Sequence, residues 1–205
     1  MRANVFRLNC EKRDSAVFEQ IVTHFNEQIE IASVNTEDLT PYIAEAATLL
    51  TQRLTSGSLF IGCDDATFSS GYELNKRLLQ LNQPDIPTLP CNFLNLNTLG
   101  LQSNSEQWLA SQLAHLASDQ DILLLFSSSE PSAAIANCLK EAQAQQLPTL
   151  LITPANNALL QQLGNQDSAI PLPILSTSSE LQLHYSLSLL LSSLIHQSLF
   201  GQSFS

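Results

Sequence analysis

Asp121-Ile122-Leu123-Leu124-Leu125-Phe126, followed by Ser127-Ser128-Ser129-Glu130-Pro131-Ser132, decides the fold. The first six residues are apolar on both faces, as a strand buried in a parallel sheet must be. The serine-rich turn carries Pro131, which suits the first turn of a helix. Ile135, Cys138, Leu139 and Ala142 then recur at helical spacing, and residues 148–153 (PTLLIT) read as the next strand. This is a βαβ unit, whose crossover is right-handed when both strands share a sheet.

Working outward, the same alternation repeats. Upstream, residues 58–62 (SLFIG) read as a short buried strand, and the loop Cys63-Asp64-Asp65-Ala66-Thr67 leads to a helix carrying Leu74, Leu78, Leu79 and Leu81. A proline-rich link, residues 84–90, ends at a strand over 91–96, and a helix starts at about Ser105 and carries Trp108, Leu109, Leu113 and Leu116. Downstream come a short helix over 158–163 and a last strand over 169–174. Pro171 and Pro173 confine that strand to an edge. Two helices precede all of this. Asp14 or Ser15 caps the first, whose stripe is Phe18, Ile21, Val22, Phe25 and Ile29. Thr40 and Pro41 form the N-cap and first turn of the second, with Ile43, Ala46, Ala47, Leu50 and Leu54 inward and Gly57 at its stop.

Residues 179–200 allow two readings. Leu181, Leu183, Tyr185, Leu187 and Leu189 alternate as in a strand, but leucine and glutamine favour helix, and β-branched residues are absent until Ile195. Leucines on nearly every face imply a helix buried all round, in part by another subunit. The expected class is α/β, a doubly wound parallel sheet in a three-layer sandwich. Residues 1–57 form an N-terminal helical extension, and residues 58–205 form the α/β domain of the same structural unit.

Composition narrows the function. Hydrophobic residues make up 44% of the 205 and charged residues 13%, which excludes a disordered chain. The net charge is -11, and seven of the eight basic residues lie at or before Arg77. Binding nucleic acid or an anionic membrane needs clustered Lys and Arg, so both are excluded. Cys10, Cys63, Cys91 and Cys138 are widely spaced, the pattern of reduced thiols. Met1 to Asp14 has no apolar run for a signal peptide, and the apolar stretch 187–199 is too short and polar to span a bilayer. The expected location is the cytoplasm.

Ligands of such sheets sit beyond the carboxyl ends of the strands. Two loops qualify, residues 63–67 and residues 127–132. A hydroxyl-rich loop at a helix N-terminus serves equally as a phosphate cradle, through backbone N–H groups and the helix dipole, or as a plain helix cap. His24, His115 and His196 have no partner at i+4, and no glycine-rich nucleotide loop, GxSxG elbow or nucleophilic cysteine context is present. No cofactor is expected.

The order of elements and the serine-rich loop resemble the sugar isomerase (SIS) domain family, in particular its phosphoheptose isomerases and its DnaA initiator-associating (DiaA-type) proteins. The resemblance spans nearly the whole chain and is weak in motif. Where the family's first loop reads Gly-Asn-Gly-x-Ser, this chain has Cys63, Asp64, Asp65, Ala66 and Thr67. Where the second reads Ser-Thr-x-Gly-Asn-Ser, it has Ser127, Ser128, Ser129, Glu130, Pro131 and Ser132. Near the C-terminus, Ala-Arg-Ile-Gln-Glu-x-His lines up with residues 179–185.

The resemblance therefore implies a vestigial ligand site of Asp64, Thr67, Ser127, Ser128, Ser129, Ser132 and Gln182. The isomerase positions for a metal ligand and a base fall on Glu73 and Arg77, and a guanidinium stays protonated. The metal-site histidine falls on Tyr185, with His184 a quarter turn away. No catalytic or metal residue is thus expected. Leu199 and Phe200 match the end of the DiaA pattern, a surface that meets DnaA, and equally suit the last apolar turn of a packed helix. The implied protein is a non-catalytic homo-oligomer, dimer or tetramer, that binds DnaA or another cytoplasmic protein. The alternative is a phosphosugar-binding protein or isomerase with a divergent pocket.

Overall fold

The structure is a computed structural model, and it describes residues 17–23, 25–26, 36–79, 87–94 and 105–201. The expected cap at Asp14 or Ser15, Ile29, Leu81, residues 84–86 of the proline-rich link and residues 95–96 lie outside them. The chain divides into two compact units, Met1–Asp38 and Leu39–Ser205. In the first, residues 17–23 and 25–26 are helical (α1), and Phe18, Ile21, Val22 and Phe25 are exposed.

The second unit alternates strand and helix as the periodicity requires. After α2 (Thr36–Leu54) come β1 (Leu59–Cys63), α3 (Phe68–Leu79), β2 (Cys91–Phe93), α4 (Ser105–Leu116) and β3 (Ile122–Phe126). Then follow α5 (Ala133–Ala144), β4 (Thr149–Pro154), a 3₁₀ turn (Ala158–Gln162), β5 (Ser168–Leu172) and α6 (Thr177–Phe200). The five strands are all parallel, in the order β2-β1-β3-β4-β5. β5 is an edge, as Pro171 demands.

The strands are buried on both faces, and alternate side chains feed two cores. Ile61, Leu124, Phe126 and Ile152 point to the layer of α2, α3 and α6. Phe60, Leu123, Leu125 and Leu151 point to the layer of α4 and α5. This is the three-layer sandwich. The stripe of α2 (Ala46, Ala47, Leu50, Leu54) belongs to the first core.

Two helix starts differ from expectation. α2 begins a turn early, at Thr36, leaving Pro41 inside it. Glu37 and Asp38 then occupy the first turn, where the helix dipole favours negative charge. α5 starts one step later than Pro131 suggests. Ser132 is the N-cap, and its Oγ accepts from the Ile135 N–H at 3.3 Å.

Residues 177–200 settle as helix. Ser176 caps the start, and Gly201 ends it in a left-handed conformation at φ 69°, which a side chain would strain. The hydroxyls buried on α6 are satisfied locally. Ser188 donates to the His184 carbonyl at 3.1 Å and Ser192 to the Leu189 carbonyl at 2.7 Å.

Candidate functional site

The parallel sheet brings the ends of β1, β3 and β4 to one edge, so the loops that follow them converge. Asp64 follows β1 directly and is 5% exposed. Its carboxylate lies on the serine loop. Oδ2 accepts from the Ser127 hydroxyl at 2.8 Å and the Ser128 N–H at 3.0 Å, and Oδ1 accepts from the Ser132 N–H at 3.0 Å. Asn157, from the loop after β4, donates to the Ser127 Oγ at 3.2 Å and the Ser128 carbonyl at 2.6 Å. The loop is thus shaped around an anion, and the anion is the chain's own.

The other expected site residues divide. Thr67 is fully buried, and its hydroxyl is used on the Phe126 carbonyl at 3.0 Å. The Ser128 hydroxyl turns to the Glu130 carbonyl at 3.1 Å. Ser129 is exposed, and its backbone N–H supports the Glu180 carboxylate. Gln182 is exposed on α6, away from the hydrogen bonds that join Asp64 to the serine loop.

The residues of α6 that turn inward are Glu180 and His184, with Nε2 and Oε1 3.8 Å apart. His184 is fully buried with its ring 5.9 Å from that of Phe126. Glu180 Oε1 and both His184 ring nitrogens have no hydrogen-bond partner. Burial pushes the His184 pKa down from 6.5 to about 4, against the pull of the Asp64 carboxylate. Burial raises the Glu180 carboxyl, eased by the Ser129 N–H. Tyr185, on which the family's metal histidine falls, is half exposed.

A cleft of about 450 Å³ opens above the loops. Four carboxylates line it, Asp64, Asp65, Glu106 and Glu130, with Ser128, Ser132 and Ala134, and among the described residues none of the lining is basic. Glu73 and Arg77 engage each other instead, Nε to Oε1 at 2.9 Å, with Lys76 Nζ 3.6 Å from Glu73 Oε2. Arg77 cannot be a metal ligand, and among the described residues no three His, Cys, Asp or Glu are grouped to hold a metal ion. Burial raises the thiols of Cys63, Cys91 and Cys138, the last to about 12, so they are poor nucleophiles.

Leu199 and Phe200 are half buried and pack against the core of the α2, α3 and α6 layer. The Phe200 ring also lies 6.1 Å from that of His196. Both side chains thus have a packing role in the fold itself.

Asn157, Glu106 and the inward role of Glu180 and His184 were not evident from sequence. One signal was present for Glu180, the sole charged residue after Asp167. A lone carboxylate on an apolar helix is rarely buried without purpose.

The fold is that of phosphoheptose isomerases of known structure. A phosphoheptose isomerase from Francisella tularensis superposes with a TM-score of 0.81 at 22% identity, over 88% of this chain and 98% of that one. One from Neisseria gonorrhoeae superposes with a TM-score of 0.79 at 17% identity, over 88% and 99%. In sequence, the chain is 26% identical over 191 residues to the phosphoheptose isomerase of Chromohalobacter salexigens, covering 90% of this chain and 97% of that one. It is 25% identical over 166 residues to the DnaA initiator-associating protein DiaA of Erwinia tasmaniensis, covering 77% and 84%. No family model matches the chain. The chain is an α/β protein similar in fold to phosphoheptose isomerases and similar in sequence to both phosphoheptose isomerases and DiaA. Among the described residues, no helix is long and apolar enough to cross a membrane.

Proposed function

We propose that this chain is a non-catalytic SIS-type interaction protein, a DiaA-like homo-oligomer that binds the replication initiator DnaA. The observation that carries the proposal is the cleft, whose four carboxylates, with no basic side chain among the described lining residues, oppose a phosphorylated substrate. The pairing of Glu73 with Arg77 adds to it, because a guanidinium stands where an isomerase needs a proton acceptor. The DiaA relative supports the choice of partner. An oligomer presents several weak sites at once and gains avidity without new contacts.

Surface plasmon resonance of the purified protein over immobilised DnaA from the same source tests this. Saturable binding is expected, with no turnover of sedoheptulose 7-phosphate. Turnover with no DnaA binding would overturn it.

One observation favours the second reading, a phosphosugar-binding protein or isomerase with a divergent pocket. α6 sets two groups capable of acid–base chemistry, Glu180 and His184, within electrostatic reach of Asp64. Isomerase turnover abolished by His184→Ala would establish that reading instead.

A further inference from the structure

Three donors from the serine loop meet at one point. The Ser127 hydroxyl and the Ser128 and Ser132 N–H groups all aim at the Asp64 carboxylate, at 2.8, 3.0 and 3.0 Å. The start of α5 adds its dipole, since Ser132 is the N-cap of a twelve-residue helix. Asn157 braces the loop from β4 by bonds to Ser127 and Ser128. The group so held is an oxyanion. A second observation comes from α6, whose Glu180 carboxylate is supported by the Ser129 N–H of the same loop. His184 is fully buried on α6 with both ring nitrogens unpartnered, and it feels the Asp64 charge directly. A polar ring buried without a partner is costly, and it lies one helical turn from Glu180, 3.8 Å from its Oε1.

We infer that the serine loop is a built oxyanion site whose resident anion is the Asp64 side chain, and that this carboxylate bars an external carboxylate or phosphate from the loop. Asp64 sets specificity by occupation. The donors a phosphate group would use are already satisfied, and an incoming anion would also meet the Asp64 charge at contact distance. Asp65, Glu106 and Glu130 at the rim repel from further out, where solvent screens them more. Asp64 is therefore the dominant barrier.

Asp64→Ala removes the carboxylate and leaves a space that formate, a free carboxylate of the same size, can enter after a small shift away from the Ala methyl. The experiment is a thermal melt of Asp64→Ala and of wild type, titrated with sodium formate, inorganic phosphate or potassium chloride at equal ionic strength. Asp64→Ala should melt lower than wild type. Formate or phosphate at about five times its Kd should raise the variant's Tm by roughly 2–4 °C beyond chloride. Wild type, its site already filled, should respond to these anions as it does to chloride.

If the variant does not fold alone, recovery of its native circular dichroism with formate is the same readout. Asp64→Asn, which keeps the bulk, should show no formate response. No response of Asp64→Ala to either anion overturns the inference, as does an equal response in wild type. The inference stands apart from the choice of partner. Loss of DnaA binding alone leaves it intact, and absence of anion rescue leaves the DnaA proposal intact.

Discussion

His184 is neutral in the folded chain at pH 7, because burial lowers its pKa to about 4 from 6.5. Unfolded, it takes up a proton near pH 6.5, so the unfolded state binds more protons between those values. The stability it protects is complete above pH 6.5 and is lost as pH falls towards 4, by about 3 kcal/mol in total. Glu180 works in the opposite direction. Its raised pKa favours the folded state at low pH and costs stability as pH rises through it. Denaturant unfolding at a series of pH values should therefore show a decline below pH 6.5 that His184→Leu largely removes. His196, also lowered by burial, leaves a smaller decline of the same sign. At pH 7, His184→Leu should gain about 1 kcal/mol, since it removes two buried nitrogens without partners. An unchanged acid limb would mean that His184 is hydrated in solution.

At the scale of the element, α3 lies so close to β1 that a Cβ on Gly71 would overlap Cys63 Sγ and crowd Ile61 Cγ2 at 3.1 Å. Gly71→Ala should thus cost about 1–3 kcal/mol in equilibrium unfolding. Ser132→Ala should cost about 1 kcal/mol through the lost cap. It keeps the N–H that serves Asp64, so its response to formate should match wild type. Leu199→Ala with Phe200→Ala should lower stability by about 2–4 kcal/mol, less than for fully buried residues, because both are half exposed. A double variant with an unchanged melt would assign the pair to a partner surface rather than to packing.

The elements themselves were legible, since β1, β3 and β4 are apolar on both faces and α5 has a clean stripe. α6 was not, because leucines spaced by two and by four fit both periods. Packing against both α3 and the sheet decided it. The site was half legible. The two loops were evident from their place after strands, and the serines from their hydroxyls. What sequence hides is direction, namely that Asp64 turns into the serine loop and that Glu180 and His184, not Gln182, face inward. These depend on the rotation of α6, which its hydrophobic pattern does not set.

For the whole molecule, charge is the governing quantity. A net charge of -11, with Lys140 the sole basic residue beyond Arg77, predicts no DNA binding in a mobility-shift assay at physiological salt. It also predicts weak or absent binding of heptose phosphates by calorimetry. Micromolar affinity would show that the loop donors outweigh the carboxylates of the cleft.

The strand order carries a kinetic consequence. β1 lies inside the sheet, yet its partner β3 follows much later, Leu59 pairing with Ile122, whereas Leu123 of β3 pairs with Thr149 of β4. On the ribosome, at about 5–20 residues per second, β1 would wait roughly 3–13 seconds for β3 to be made. Through that interval Leu59-Phe60-Ile61 presents an unpaired apolar edge, the kind of segment chaperones hold and aggregates recruit. Soluble yield should therefore depend on how fast the chain is translated between residues 63 and 122, and on the supply of holdases, more than on the equilibrium stability of the finished fold.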